Sequence, residues 1–157
     1  MQLKASTDYG MRAILYLAAQ GTTCSSKDIA EDMSIPRDYL IQLAQLLRNA
    51  GIIEARPGKH GGYRLAKDPN DINVLEIMEA LDDDAKQSTR AKRSARKGGA
   101  MVQGIKETYD LIEESMDAYL ASLSVQMLLD CARNGDNSRK FLSERLENES
   151  RRLVEAS

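Results

Sequence analysis

One stretch of the chain, residues 25–65, constrains the fold more than any other. Two short amphipathic segments are separated there by Ser34-Ile35-Pro36, and Pro36 suits the first position of a helix. Gly51 ends the second segment, and two short apolar runs then flank a turn rich in glycine and basic residues. This order predicts a helix, a tight turn, a second helix and a β-hairpin. It is the plan of a winged helix-turn-helix, whose second helix enters the major groove of DNA.

Cap residues and apolar spacing place the neighbouring elements. A first helix is expected to end at Gly21, strands at 52–55 and 63–66, and a long helix at about 101–122. The whole chain is therefore predicted to be mainly α with a small β-hairpin. The expected N-terminal caps of the first, second and fourth helices are Ser6 or Thr7, Ser25 or Ser26, and Asn70 or Asp71.

The second helix of the motif has polar side chains opposite its apolar stripe. Arg37 can pair with guanine or phosphate, and Gln42 carries the donor and acceptor that suit adenine. Asp38 can accept from cytosine or support the helix N-terminus, while Tyr39 and Arg48 are expected to reach phosphates. The alternative is an ordinary amphipathic helix with solvated side chains.

The hairpin turn is expected to form the wing. Its glycines let the backbone approach DNA closely, and a narrow minor groove attracts arginine. His60 is the only histidine, and on a basic turn it favours a phosphate contact over a metal site. An ordinary surface hairpin is the alternative. The wing residues expected to contact DNA are Arg56, Gly58, Lys59 and His60.

The long helix carries a heptad seam, in which apolar residues alternate at spacings of three and four. Such a seam packs helix on helix, either inside one protomer or between two copies. A winged helix that reads DNA usually binds as a two-fold dimer, so we expect a homodimer interface here. The seam residues are Val102, Ile105, Tyr109, Ile112, Met116, Tyr119 and Leu123.

Composition narrows the function classes. Two cysteines, Cys24 and Cys131, are too few for a disulfide framework and suit a reducing compartment. No apolar run is long enough to cross a bilayer and no signal-peptide core is visible, so a cytoplasmic protein without a membrane partner is expected. No nucleophile–base pair, phosphate loop or metal-ligand spacing points to an enzyme.

Charge is distributed in blocks behind a net charge of −2. Residues 1–67 hold nine Lys/Arg against six Asp/Glu, and residues 68–84 hold seven acids and no base. Residues 85–105 hold six bases and no acid. Because DNA binding depends on the charge of one face, the acidic total does not argue against it.

Several segments together resemble the family of bacterial winged-helix regulators that includes IscR, NsrR and CymR. The resemblance covers about residues 1–132 and implies homodimeric repressors or activators that bind double-stranded DNA at two-fold-symmetric operators. Its segments are Ser6-Thr7-Asp8-Tyr9-Gly10, Tyr39-Leu40-Ile41-Gln42-Leu43, Leu47-Arg48-Asn49-Ala50-Gly51-Ile52-Ile53 and Gly61-Gly62-Tyr63-Arg64-Leu65.

The resemblance is closest to an IscR-like regulator without its cluster cysteines. IscR and NsrR hold an iron–sulfur cluster through three cysteines in the loop before the long helix, but residues 85–100 contain none here. Ala91, Ala95 and Ala100 stand about where those ligands would fall. Either the chain is naturally cluster-free, like CymR, or the alanines replace cysteines of a parental, cluster-bearing form. Their regular placing favours the second interpretation.

The expected organisation follows from these patterns. It comprises a winged helix-turn-helix at 1–67, a connecting helix at 68–84, a basic sensor-type loop at 85–100, a dimerisation helix with a short following helix at 101–134, and a polar tail at 135–157. The expected function is transcription control of iron–sulfur cluster biogenesis or a stress response, by a cluster-free form. The alternatives are a cluster-independent, CymR-like regulator of cysteine metabolism that acts through a protein partner, and a thiol sensor.

Overall fold

The computed structural model describes residues 3–82 and 99–156. These residues form helices packed around one aliphatic core, with a two-stranded antiparallel sheet at one side, so the expected mainly α fold with a small hairpin is confirmed. A single 3₁₀ turn, Gly135–Asn137, precedes the last helix. In chain order the elements are α1 (Ala5–Gln20), α2 (Ser26–Asp32), α3 (Arg37–Asn49), β1 (Ile53–Arg56), β2 (Gly62–Leu65), α4 (Val74–Leu81), α5 (Ala100–Ser122), α6 (Val125–Arg133) and α7 (Ser138–Glu155).

Local signals fix the ends of the first three helices. Gly21 ends α1 in the left-handed region with φ 65°, where glycine is favoured. Ser25 caps α2 by accepting a hydrogen bond from the backbone N–H of Asp28 at 3.1 Å. Pro36 is the N-cap of α3 rather than its first helical residue, so α3 begins one residue later than expected.

The cap of α4 differs from the expectation. Asn73, not Asn70 or Asp71, accepts the hydrogen bond from the backbone N–H of Glu76 at 2.9 Å. Asp68 instead organises the preceding turn, because its carboxylate accepts from both the backbone and the side-chain N–H of Asn70 at 2.8 Å. Those two bonds, the backbone bond first, lower the pKa of Asp68. Asn70 and Asp71, the expected caps, therefore belong to the preceding turn and do not cap α4.

The core is aliphatic because the chain has no tryptophan and one phenylalanine. One face each of α1, α2, α3 and α4 contributes to it, with residues from the loops before α2, α3 and α4, the start of the hairpin and the start of α6. Each fully buried side chain of this size contributes about 1.5–3 kcal/mol relative to an exposed one. The large side chains with almost no exposed surface are Ile14, Ile29, Leu40, Leu43, Leu47, Ile52, Ile72, Ile77 and Val125.

A short antiparallel bridge between Asn73 and Ser124 joins the start of α4 to the corner between α5 and α6. The backbone N–H of Val74 donates to the carbonyl of Leu123 at 2.9 Å, and that of Val125 donates to the carbonyl of Ile72 at 2.8 Å. The C-terminal end of α5 is therefore attached to the core by backbone hydrogen bonds.

The polar tail forms the helix α7, which packs against α5. The guanidinium of Arg145 donates two hydrogen bonds to the carbonyl of Ser122, at 3.3 and 3.1 Å, at the C-terminal end of α5, where a positive charge is favourable. Glu149 is buried and pairs with Arg152 at 3.0 Å.

Within residues 3–82 and 99–156, no helix is both long and apolar enough to cross a membrane.

Candidate nucleic-acid interface

The helix α3 presents a polar face on the side opposite its buried stripe. Leu40, Leu43 and Leu47 are each at most 2% exposed and hold the helix against the core. Because a helix turns once every 3.6 residues, side chains three and four positions apart share a face. The polar residues that the structure leaves exposed on α3 are Arg37, Asp38, Gln42, Gln45, Arg48 and Asn49.

Arg37 is braced against the preceding helix. Its Nε and Nη2 atoms both lie 3.3 Å from Ser26 Oγ, so its guanidinium connects the start of α3 with the start of α2. Sequence reasoning missed this role of Ser26, although its position beside the cap Ser25 was the available signal. Ser25 therefore caps α2, whereas Ser26 accepts hydrogen bonds from Arg37.

Tyr39 lies on the flank of α3 and is half-buried. Its ring contacts the ring of Tyr9 edge to face, with centroids 5.7 Å apart and planes at 85°. The guanidinium of Arg12 lies 5.2 Å from the Tyr9 centroid and pairs with Asp8 at 2.6 Å. The Tyr39 ring therefore helps to seat α3 on α1, and its expected phosphate contact stays a prediction that concerns only the hydroxyl.

Further along α3, exposed polar side chains bond to one another. Arg48 Nη2 donates to Gln45 Oε1 at 3.0 Å, and Gln45 Nε2 donates to Asn49 Oδ1 at 2.9 Å. These bonds link residues one helical turn apart and orient the side chains along the exposed face. Asp38 and Gln42 lie nearer the N-terminal end of the helix, which is the end that reads bases in helix-turn-helix proteins.

The hairpin brings the wing residues to one exposed turn. In the register of β1 and β2, Arg56 pairs with Gly62. Gly58 has φ 109°, a backbone conformation that favours glycine. The turn closes through the N–H of Gly61 on the carbonyl of Gly58 at 3.0 Å. Every wing residue expected to contact DNA, namely Arg56, Gly58, Lys59 and His60, is exposed.

The wing is fastened to the helix-turn-helix by a bridge between Cys24 and Tyr63. The backbone N–H of Cys24 donates to the carbonyl of Tyr63 at 2.9 Å, and that of Tyr63 donates to the carbonyl of Cys24 at 2.8 Å. A Cβ atom on Gly62 would collide with the backbone carbonyl of Cys24. Only glycine therefore allows the wing to lie this close to the loop before α2.

The seam of α5 is largely exposed in the protomer. Its residues are 45–58% exposed from the start of the seam to Met116, whereas Tyr119 is half-buried. Leu123 was also expected in the interface, and this expectation is corrected. It lies at the C-cap of α5, is 6% exposed and belongs to the protomer's own buried core. The exposed seam residues are Val102, Ile105, Tyr109, Ile112 and Met116.

The two cysteines lie apart from the candidate interface's exposed face. Cys24 is buried, and its thiol contacts the carbonyl of Thr22 at 3.5 Å. Burial first, and the charge of Asp28 second, raise the pKa of the Cys24 thiol and so disfavour the reactive thiolate. Cys131 on α6 is half-buried. The geometry at Cys24 therefore does not favour a thiol sensor at that position.

The residues of the sensor-type loop do not fit an iron–sulfur cluster. Such clusters need thiolate ligands, and residues 85–100 contain no cysteine. Ala91 and Ala95 lie outside the described residues, and Ala100 is the first residue of α5. In the part of the chain that the structure describes, no three His, Cys, Asp or Glu side chains are grouped to hold a metal ion.

The fold and its exposed surfaces define a winged helix-turn-helix protein, the class that places a polar helix in the DNA major groove beside a basic wing. Its polar helix is α3, and its wing is the turn between β1 and β2. The chain belongs to the Rrf2 family of iron-dependent transcriptional regulators, whose model matches residues 3–131. The resemblance drawn from the sequence motifs is thereby confirmed.

Individual relatives agree with this membership. The chain is 32% identical over 144 residues to the HTH-type transcriptional regulator NsrR of Bacillus subtilis. The matched region covers 90% of this chain and 97% of the relative. The structure of T. potens IscR matches with a TM-score of 0.67 at 28% identity, over 84% of this chain and 88% of that one. The structure of CymR, the global cysteine regulator of B. subtilis, has a TM-score of 0.62 over 83% and 97% of the two chains, and at 24% identity it supports the fold alone.

Two conclusions follow from the family. The chain is a DNA-binding transcription regulator, and the expectation that it is not an enzyme is confirmed, because the relatives are named as transcriptional regulators. The match ends at residue 131, so α7 lies beyond the part that the family model covers.

Proposed function

We propose that this chain is a homodimeric, sequence-specific transcription regulator that acts in the cytoplasm on two-fold-symmetric operators. Each subunit inserts the N-terminal half of α3 into a major groove and lays the wing along the neighbouring backbone or minor groove. The observation that carries the proposal is the joint exposure of Arg37, Asp38 and Gln42 on a helix that is otherwise seated on the core, beside the exposed basic wing. The wing is held in place by the bridge to Cys24.

The proposed dimer rests on the exposed seam of α5. A helix of 23 residues with no buried side chain in its own protomer leaves a long apolar surface in water. A second copy would remove that surface from water and would present two α3 helices to successive major grooves. The surfaces needed for both events lie on different elements, so one can be tested without disturbing the other.

The proposed state of the chain is cluster-free, because its loop lacks the thiolates that a cluster needs. The regulated genes are those of iron–sulfur cluster biogenesis or of a stress response, in keeping with the iron-dependent family. Cysteines at Ala91, Ala95 and Ala100 would supply ligands to a parental form. The competing interpretation is a naturally cluster-independent regulator.

Selection of sheared genomic DNA by the purified protein at physiological salt, followed by sequencing, tests the proposal. We expect enrichment of a two-fold-symmetric site whose neighbouring genes identify the regulated process. A second selection uses the variant with Ala91→Cys, Ala95→Cys and Ala100→Cys. A different enriched set would show that the loop selects the operator, and no enrichment by either protein would contradict sequence-specific binding.

The salt dependence of operator binding tests the wing. Each phosphate contact contributes about −0.9 to the slope of log affinity against log salt concentration. If Arg56 and Lys59 each meet a phosphate, the double variant Arg56→Gln, Lys59→Gln will have a slope less steep by about 2 per subunit. The affinity is measured by fluorescence anisotropy over a range of salt concentrations.

The matched control removes the same charge far from the wing. Lys140→Gln and Arg151→Gln lie on exposed positions of α7 and should leave the slope as it is. An equal slope for wild type and wing variant would argue that the wing does not touch the DNA backbone. It would favour the alternative in which the winged helix binds a protein partner.

A further inference from the structure

We propose that the cleft between α6 and α7 binds a small organic cation, namely a protonated amine attached to an apolar body. The cleft lies where the 3₁₀ turn joins the two helices, and its volume is about 270 Å³. Its site is separate from the proposed DNA-binding surfaces, which are on α3 and the wing. Because the family match ends at residue 131, the α7 side of the cleft is a feature of this chain beyond that match.

The apolar side of the cleft is left partly open to water. Phe141 is 37% exposed, although a side chain of this type is usually buried, and Met127 and Cys131 on α6 are half-buried. An apolar ligand group inserted here would remove part of these surfaces from water, which is favourable. The volume suits a small ligand, because pockets for drug-sized molecules have volumes of about 300–1,000 Å³.

The polar side of the cleft favours a positive charge. Among the described residues that line it, Asp130 has the one ionised side chain, and the others are neutral amide or hydroxyl groups. Asp130 Oδ1 accepts a hydrogen bond from Gln126 Nε2 at 2.9 Å, whereas Oδ2 accepts none from the residues that the structure describes. An ammonium group can donate the charge-assisted hydrogen bond that this oxygen is able to accept. The polar lining consists of Asp130, Asn134, Asn137 and Ser138.

The end of α6 adds to this preference for a cation. Asp130 and Cys131 lie in the last turn of the helix, where the helix dipole is negative and a cation is stabilised. The aromatic face of a phenylalanine such as Phe141 also attracts cations. A cation would therefore meet a carboxylate, a helix C-terminus and an aromatic side chain in one small cleft, whereas an anion would be repelled by the first two.

The positive side chains of the protein leave the cleft to a ligand. Those that are nearest to it in the chain are exposed and are not part of its lining, namely Arg133, Arg139 and Lys140. Lys140 instead pairs with Glu144 at 3.9 Å. The carboxylate of Asp130 is thus available to a cation from outside the protomer.

Benzylamine is a suitable probe, because it joins an aromatic ring to an amine that is positively charged at pH 7. The amide chemical shifts of the ¹⁵N-labelled protein are followed during a titration, and we expect saturable shifts at Cys131 and Phe141. Asp130→Asn should weaken the binding about tenfold or more, since the charged hydrogen bond is lost. Benzyl alcohol has the same ring without the charge, so it should bind more weakly and should not distinguish wild type from Asp130→Asn.

Glu147→Gln is the matched control, because Glu147 is exposed on α7 and does not line the cleft. It also removes one carboxylate, and it should keep the wild-type affinity for benzylamine. The inference is overturned if benzylamine shifts no amide of the cleft, if Asp130→Asn binds it as tightly as wild type, or if benzyl alcohol binds wild type equally well. Operator selection is a separate measurement, so a failure here would leave the proposed function in place.

Discussion

Gly62→Ala will lower the free energy of unfolding by about 3 kcal/mol, since it strains the backbone and disrupts the wing bridge. The added methyl group would overlap the carbonyl of Cys24. The φ angle of Gly62 is 152°, a value that residues other than glycine rarely adopt. Relief requires the wing to move away from the loop before α2, which breaks the two backbone hydrogen bonds between Cys24 and Tyr63. Operator affinity should fall together with stability, because the wing tip moves with its strands.

Chemical unfolding at a fixed protein concentration measures the effect, and Gly104→Ala is the matched control. Gly104 lies inside α5, and nothing lies within 4 Å of the place where its Cβ would be. Alanine should therefore stabilise α5 by about 0.5–1 kcal/mol through its better helix propensity. Opposite signs for the two glycines would locate the effect at the wing bridge. A Gly62→Ala protein as stable as wild type would contradict the close approach to Cys24.

Placing charges on the seam of α5 should convert the proposed dimer into monomers. The double variant Ile105→Glu, Ile112→Glu would bury four carboxylates without partners in the proposed interface, a cost that exceeds the stability of an ordinary contact between subunits. A monomer holds one half-site instead of two, so operator affinity should fall by a factor of about 100 or more. Sedimentation equilibrium gives the oligomeric state, and fluorescence anisotropy gives the affinity.

The control for this variant is Leu111→Glu. Leu111 is 63% exposed on the same helix but lies away from the seam, so its variant should remain a dimer with unchanged affinity. Neither protein should lose helical content, because α5 has no buried residue in its own protomer. If the double variant stays dimeric, the seam is not the interface and another surface must join the subunits.

The winged helix-turn-helix half of the fold was accessible from sequence because its signals are local. The cap Ser25, the terminating Gly21 and the glycine-rich turn each fix an element through its immediate neighbours, and the structure places these boundaries within one residue of the expectation. The start of α1 was wrongly predicted, because the helix begins at Ala5 after Lys4 and neither Ser6 nor Thr7 caps it. The exposure of Gln42 also follows from helical spacing alone. Short-range chemistry determined these features.

Other features depend on residues far apart in the chain. The heptad pattern continues to Leu123, but the helix ends there and the backbone turns toward Ile72, so spacing alone placed this residue on the wrong surface. The ring of Tyr39 is seated by Tyr9, thirty positions earlier, which no local pattern indicates. The cap of α4 was wrongly predicted because Asn70 and Asn73 are the same type of side chain. Asn70 is held in the preceding turn by its bonds to Asp68, which leaves Asn73 to cap the helix.

Besides packing against α4 and α7, the helix α5 is joined to the core by hydrogen bonds at its C-terminal end, so this end is the fixed one. Its C-terminal end is held by the backbone bonds of Val74 and Val125 and by Arg145, whereas residues 100–105 are all exposed. With 23 residues, α5 is about 35 Å long. A tilt of about 5° at the fixed end therefore displaces the other end by about 3 Å, enough to change side-chain contacts there. Small rearrangements near residues 72–74 and displacements at the start of α5 are thus mechanically coupled in both directions.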